Sequence, residues 1–369
     1  MQKRIPLFRP TIYPEAIAAV NEVLNSGWLG AGPKTQAFEK AFAEYVGAPY
    51  CVGLNSCTSA LHLGLHLLNL PPGSEVITTP LTFVSTNHAI LYEKCKPVFA
   101  DVQPETGNLD VRSVTSRITD RTSAIMLVHY GGYPADIDEF YALAKDARIP
   151  VVEDCAHACG ATYKGKRIGS HGLIHAFSFD PVKNLTMGGG GALTVRSPEH
   201  DSRLRKLRWL GIDADTFKRT TDQRYKWEYQ VTEVGFNYYM NDIQAAIGLV
   251  QLSHLDEDNA RRTAIAEQYR QRLSNVPGIR LLSYKDDRRS SYHLFSILAE
   301  KRDNLADKLR DTGVDAGVHY QRNDLYPMYE EQDLPNTEYF WQREISLPMH
   351  LQLTDEQVEY ITGIIRKGW

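Results

Sequence analysis

Three short stretches carry residue types that chemistry can use. The first is LNSCTSALHLGLHL, where a strand ends at Asn55 and a helix begins with Ser56, Cys57 and Thr58 in its first turn. A helix start offers free N–H groups and the positive end of a dipole, which suit a phosphate, and small hydroxyls add donors. A plain serine N-cap without a ligand accounts for the same residues. No GxxxxGKS/T pattern occurs, so a nucleoside-triphosphate loop is unsupported. The second stretch is IPVVEDCAHACGATYKG, whose apolar run ends on Glu153 and Asp154. An acid at a buried strand end is costly unless a cation meets it, whereas a solvated strand end needs none. The third is FSFDPVKNLTMGGGGAL, where Lys183 stands between an aromatic run and four glycines. A lysine nucleophile must be desolvated or held near a charge partner. The glycines let the backbone approach a ligand or adopt positive φ, although a solvated loop lysine is the plainer reading.

Together the three are more specific than any one of them. Asp154 follows the helix start by about 100 residues, and Lys183 lies about 30 further on. An anion cradle, an acid for a protonated pyridine nitrogen and a Schiff-base lysine are what pyridoxal 5′-phosphate (PLP) requires. An acid beside the pyridinium keeps that nitrogen protonated near neutral pH. A rival sits in the second stretch: Cys155, His157 and Cys159 lie two apart and would share one face of a strand, as metal ligands can. No second cysteine pair follows, since the others are Cys51, Cys57 and Cys95, so small buried thiols are the better reading.

The elements that must position these residues show in the apolar pattern. From about residue 50 to 195, short strands (CVGL, EVITT, KPVFADV, SAIMLVH, IPVVED, HAFSF, GALTV) alternate with helical stretches. That alternation predicts a mostly parallel, seven-stranded α/β sheet sandwiched by helices, with ligands at the carboxyl ends of the strands. Residues 12–70 are otherwise mostly helical, interrupted by the loop GWLGAGPKT. After about 250 the pattern changes to helix, strand, helix and a final capped helix beginning at Thr354. The expected division is a large domain over 1–250 and a smaller α+β domain over 251–369, with the N-terminal segment free to pack on the smaller one.

The 369 residues are 43% apolar and 23% charged, with net charge −4. A mildly acidic balance does not favour a nucleic-acid or anionic-membrane surface. No apolar run nears the roughly 20 residues of a membrane span. The N-terminus lacks an apolar signal core, and five scattered cysteines suit a reduced, cytoplasmic setting.

With these motifs in order, the sequence resembles the DegT/StrS sugar aminotransferases, within the fold-type-I PLP enzymes. The resemblance runs from GWLGAGPKTQAFEKAFAEYVGA through NSCTSALHLGL, VVEDCAHACGATYKGKRIG, FSFDPVKNLTMGGGGAL and GFNYYMNDIQAAIGLVQL to GVHY and ISLPMHLQLT. It implies that Lys183 carries PLP covalently, that Asp154 meets the pyridine nitrogen and that His157 lies beside the ring near its phenolic oxygen. It implies stacking by Phe83, phosphate contacts from Ser56, Cys57, Thr58 and Ser178, and a homodimer in which Asn237 reaches the phosphate of the neighbouring subunit. It implies transfer of an amino group from L-glutamate to a nucleotide-linked keto sugar, most often a 4-keto-6-deoxy sugar, by a ping-pong route. A 3-keto sugar, a keto-cyclitol or a non-catalytic PLP-binding regulator are the alternatives. Trp28, Leu29, His319, Tyr320 and Arg322 are candidate substrate contacts, Arg322 for a diphosphate. Departures from the family pattern are Gly189 in place of a glutamate, Cys57 in place of a glycine, Tyr239 in place of an arginine, and the run Gln321-Arg322-Asn323-Asp324, all expected to face substrate or cofactor. Lys183 argues against the dehydratase branch, which has histidine there. His62, His66 and His129 are expected to be structural.

Overall fold

The computed structural model describes residues 4–213 and 229–369. Two proline-initiated helices open the chain: α1 (Pro14–Ser26) and α2 (Pro33–Val46) each place Pro at the first turn, where no N–H partner is lost, and each ends on a left-handed glycine, Gly27 or Gly47. Gly27 to Gly32 of the GWLGAGPKT stretch form the loop between them, and its Pro33, Lys34 and Thr35 open α2.

Seven strands form the large sheet: β1 (Tyr50–Leu54), β2 (Glu75–Thr78), β3 (Lys96–Phe99), β4 (Thr122–Val128), β5 (Val151–Asp154), β6 (Ile174–Ser178) and β7 (Gly191–Val195). Their order is β1-β7-β6-β5-β4-β2-β3. Pairings from β6 through β5, β4 and β2 to β3 are parallel, and β7 runs antiparallel to both β6 and β1. The mostly parallel, seven-stranded α/β architecture of the expectation is therefore present. β2, β5, β6 and β7 are buried at every position, which is why they are apolar runs rather than alternating ones.

Alternate residues feed two layers. Val52, Val76, Met126, Val152, Ile174 and Leu193 pack under α3 (Cys57–His66) and α4 (Val84–Tyr92). Gly64 lets α3 press on the sheet, since a Cβ there would lie 3.1 Å from Ile174 and 3.4 Å from Val152. On the other face Phe177 and Phe179 interlock with Phe38 and Phe42 of α2, while Ile125 and Leu127 meet α5 (Val111–Ser116) and α6 (Ile137–Ala147). After α7 (Pro198–Leu207), α8 runs unbroken from Asp242 to Leu273 with an Asn241–Gln244 capping box. Residues 250 and 251 thus lie inside one helix, and no change of element marks the chain there. The C-terminal part of α8 contributes Ile265 and Tyr269 to a separate core. That core includes a three-stranded sheet of β8 (Ile279–Leu281), β9 (Phe295–Ala299) and β10 (Glu344–Leu347), together with Ile5 from the N-terminal segment. The chain also forms α9 (Arg302–Asp311), α10 (Pro335–Arg343) and the capped final helix α11 (Asp355–Arg366), with Thr354 at its N-cap. No helix among the described residues is long and apolar enough to cross a membrane.

Candidate active site

The carboxyl ends of β4, β5 and β6 are in register, pairing Val128 with Asp154 and Asp154 with Ala176. A cavity of about 360 Å³ opens above them, lined by Ser56, Cys57, Thr58, Phe83, Asp154, His157, Ser178, Lys183, His319 and Tyr320. Ten of the fourteen residues singled out in the sequence thus converge, although they span more than 260 positions of chain.

The cradle is built by close backbone approach. Ser56 caps α3, its Oγ accepting from the Ser59 N–H at 3.1 Å. Gly191 pairs with Leu54 on one side and Ser178 on the other, so β7 brings Ser178 beside the start of α3. A Cβ on Gly191 would collide with the Ser56 carbonyl and lie 2.6 Å from the Cys57 nitrogen. Gly188, Gly189 and Gly190 have φ of 73°, 149° and 131°, a region that side chains rarely adopt. The glycine run therefore has two duties: three positions turn the chain and the fourth admits the helix. Burial pushes the Cys57 thiol well above its usual range, so it faces the cavity as a neutral group.

Asp154 is 4% exposed. Its two oxygens accept from the Thr86 hydroxyl at 2.7 Å and the Ala156 N–H at 3.0 Å. Burial raises its carboxyl, the hydrogen bonds opposing, and no ion pair reaches it among the described residues. A buried acid with two donors and no cation is ready for a cationic partner. Thr86, one turn into α4 after Phe83, is the donor that sequence reading passed over.

His157 accepts from the Gly131 N–H through Nδ1 at 3.3 Å, which leaves its proton on Nε2, 3.0 Å from the Tyr320 hydroxyl. Burial and then the Lys183 charge press His157 well below the usual histidine range, so it is neutral. Burial raises the Tyr320 phenol. The His319 N–H donates to Glu344 at 2.7 Å and its Nδ1 lies 2.9 Å from the Ser346 hydroxyl, which fixes the segment carrying Tyr320. Phe83 remains 59% exposed, its ring 6.2 Å from that of Tyr320.

Lys183 rises from a loop anchored by Asn184, which donates to the Ser291 carbonyl and to Asn259, each at 2.7 Å. Burial presses its ammonium below the usual lysine range, against the pull of Asp154 and Asp180. Its Nζ lies 3.4 Å from Nε2 of His293. His293 is 2% exposed, its Nδ1 has no partner, and its ring packs between Phe8 and His157. In SSYHLFSILAE, the polar His293 just ahead of five buried strand positions was the signal available in the sequence.

Four candidates do not join this cavity. Arg322 is buried in a pair with Asp324 and Glu338 and donates to the Gln332 carbonyl. Four of its five N–H donors are taken and two carboxylates already balance its charge, so the assignment to a diphosphate is corrected. Asn323 and Asp324 are buried with it, against the expectation that this run faces substrate. Trp28 and Leu29 line a second groove of about 660 Å³ with Arg205, Trp209 and Tyr239, because Asp242 binds the Gly32 and Thr35 N–H groups and anchors their loop there. Asn237 is exposed and holds Asn55 through its backbone carbonyl at 3.2 Å. Cys155, His157 and Cys159 do not converge as metal ligands: the Cys155 thiol meets the Glu153 carbonyl and His157 turns to Tyr320.

A buried amine, an acid lacking a cation, and a helix-start cradle at the edge of one parallel sheet fit PLP group by group, and define a PLP enzyme of the fold-type-I class. The DegT/DnrJ/EryC1/StrS aminotransferase family matches residues 10–366, and the chain belongs to it. Members of that family are PLP-dependent sugar aminotransferases. The spore coat polysaccharide biosynthesis protein SpsC of Bacillus subtilis is 38% identical over 382 residues, covering 99% of this chain and 98% of that protein. The crystal structure of AtS13 from Actinomadura melliaura is 38% identical, covers 100% of both chains and superposes with a TM-score of 0.94. The sugar aminotransferase CalS13 from Micromonospora echinospora is 34% identical, covers 99% and 100%, and has a TM-score of 0.92.

Proposed function

We propose that this sugar aminotransferase moves the amino group of L-glutamate to a nucleotide-linked 4-keto-6-deoxy sugar, for surface-polysaccharide or natural-product glycan synthesis in the cytoplasm. The observation that carries the catalytic assignment is the buried Lys183 amine set opposite Asp154 above the α3 cradle. The sugar class follows the family, and the glutamate donor and the sugar C4 position follow the sequence resemblance.

PLP, when bound, supplies the electron sink that lets a proton leave the carbon bearing the amino group. This chain's residues do the rest. Asp154, held by Thr86 and Ala156, presents a carboxylate to the pyridinium nitrogen. Ser56, Cys57, Thr58 and Ser178 surround the phosphate with a helix dipole and hydroxyls. His157 offers its Nε2 proton as a hydrogen-bond donor, and Tyr320 and His319 wall the substrate side. Nζ of Lys183, whose charged form burial disfavours, takes the substrate proton and returns it, a role worth roughly 10²–10⁴ in rate. One site serves donor and acceptor in turn, hence a ping-pong order. Trp28, Leu29 and Asn237 lie on surface outside the cavity, which fits sites completed by a second copy of the chain.

The test is an absorbance spectrum of PLP-loaded protein before and after L-glutamate, followed by a panel of dTDP-, UDP- and GDP-linked 4-keto- and 3-keto-6-deoxy sugars. The lysine-bound band should bleach with glutamate and return with one 4-keto sugar. A band unmoved by glutamate refutes the donor. A return only with a 3-keto sugar refutes the regiochemistry. No band after PLP is added supports a non-catalytic binder.

A further inference from the structure

A cluster of metal-ligand type stands on the far end of α3, away from the Lys183 cavity. His62 and His66 lie four apart on that helix, so both rings project from one face. They meet Glu93, which follows the last turn of α4. Glu93 Oε1 is 2.8 Å from Nε2 of His62 and 3.0 Å from Nδ1 of His66. The three ligand atoms lie within 4.8 Å of one another.

We propose that His62, His66 and Glu93 bind one divalent transition-metal ion of the zinc type, clipping α3 to the end of α4. Two imidazole nitrogens and a carboxylate are a ligand set that such ions favour over magnesium or calcium. Ligand atoms about 2.0–2.2 Å from a tetrahedral ion stand about 3.3–3.5 Å apart, so the two carboxylate–imidazole spacings of 2.8 and 3.0 Å open by roughly 0.3–0.7 Å to admit one. The proton balance closes within the site. His62 shifts its proton to Nδ1, which faces the Tyr238 hydroxyl at 3.2 Å. His66 shifts its own to Nε2. Tyr238 thereby becomes the outer partner that orients a metal-bound histidine. Phe236 packs edge-on against both rings, at 4.8 and 5.5 Å, forming an apolar collar. The His66 side chain is 26% exposed, which leaves a path for the ion and a fourth position for water.

The second cluster of this kind among the described residues, His129, Glu153 and Cys155, differs in a decisive way. It is wholly buried, and Glu153 is already claimed by His129, His175 and Tyr141. The opposite ends of the two clipped helices carry Ser56–Thr58 and Phe83–Thr86, so the ion braces two walls of the cofactor cavity without touching it.

The experiment uses PLP-loaded protein freed of excess PLP and stripped of metal by chelation, titrated with ZnCl₂ by calorimetry and with CoCl₂ by visible absorbance. Wild type should bind one equivalent, give the visible bands of low-coordinate Co²⁺ and melt at a higher temperature with Zn²⁺. His66→Ala, which removes a partly exposed side chain, and Glu93→Gln should each weaken Zn²⁺ at least tenfold, abolish the Co²⁺ bands and remove the thermal shift. Absence of binding, equal affinity in wild type and His66→Ala, or Mg²⁺ competing as well as Zn²⁺ overturns the proposal.

Discussion

His293 governs how the Lys183 amine is presented. Its Nε2 lies 3.4 Å from Nζ, and its own Nδ1 is unpartnered, so it is free to take a proton on that side and keep Nε2 as an acceptor. Replacing it by Ala removes one hydrogen bond from the amine that moves the proton. The expected result is a kcat about tenfold lower with KM for glutamate little changed, since about 1.4 kcal/mol is lost at the proton-transfer step and none at binding. Steady-state kinetics at saturating sugar reads this directly. Glu344 gives a pH signature at the same scale. Burial lifts its carboxyl from 4.5 to about 7, with Ser346, the His319 N–H and Ser296 pulling the other way. The folded chain therefore keeps a proton that the unfolded chain releases, so this contribution to stability is full below about pH 4.5 and is lost as pH rises through about 7. Melting temperatures of wild type minus Glu344→Gln, taken across that window, should fall with pH; a flat difference would remove Glu344 as the cause.

At the scale of elements, β7 and α3 are fitted to each other through one missing side chain. Gly191→Ala places a methyl against the Ser56 carbonyl and the Cys57 nitrogen, and both are backbone, which cannot swing aside. The helix start must retreat from the strand. Stability should drop by about 1–3 kcal/mol, the usual cost of overpacking, and PLP should dissociate faster because the cradle N–H groups are displaced. Thermal denaturation and the loss of visible absorbance on dialysis measure the two effects. A variant that loses stability yet retains PLP as wild type does would separate the cradle from the packing.

For the whole molecule, the division of the candidate residues between the cavity and an outer surface carries its own prediction. Lys183 and Asp154 sit within one protomer, whereas Asn237 sits on its outside. If a second copy completes each site, Lys183→Ala and Asn237→Ala proteins are each impaired alone. Unfolded together and refolded, they should recover about a quarter of wild-type activity, because half of the dimers are mixed and each has one intact site. Recovery no greater than the sum of the two variants would place Asn237 outside the partner's site.

How much of this was legible differs from place to place for physical reasons. The sheet strands were visible because β2, β5, β6 and β7 are buried at every position, β1 and β4 at all but one and β3 at two of its four, so each is written as a short, mainly apolar run. The cradle, Asp154 and Lys183 were visible because a helix start, a strand-end acid and a glycine-flanked lysine leave local marks. The interior of α8 was not, since a helix that crosses from one core to another shows no break where the neighbours change. Arg322 was misassigned because an arginine's partners, here Asp324 and Glu338, depend on where the chain folds back and not on the residues beside it. Thr86 and His293 acquire roles only through contacts with Asp154, 68 positions away, and Lys183, 110 positions away. The amino-acid sequence by itself determined the sheet, the family and the reacting groups, because those are encoded in local periodicity and chemistry. Only the tertiary structure decided which charges are consumed internally and which polar groups meet across the site, because burial and pairing are properties of segments that the sequence keeps far apart.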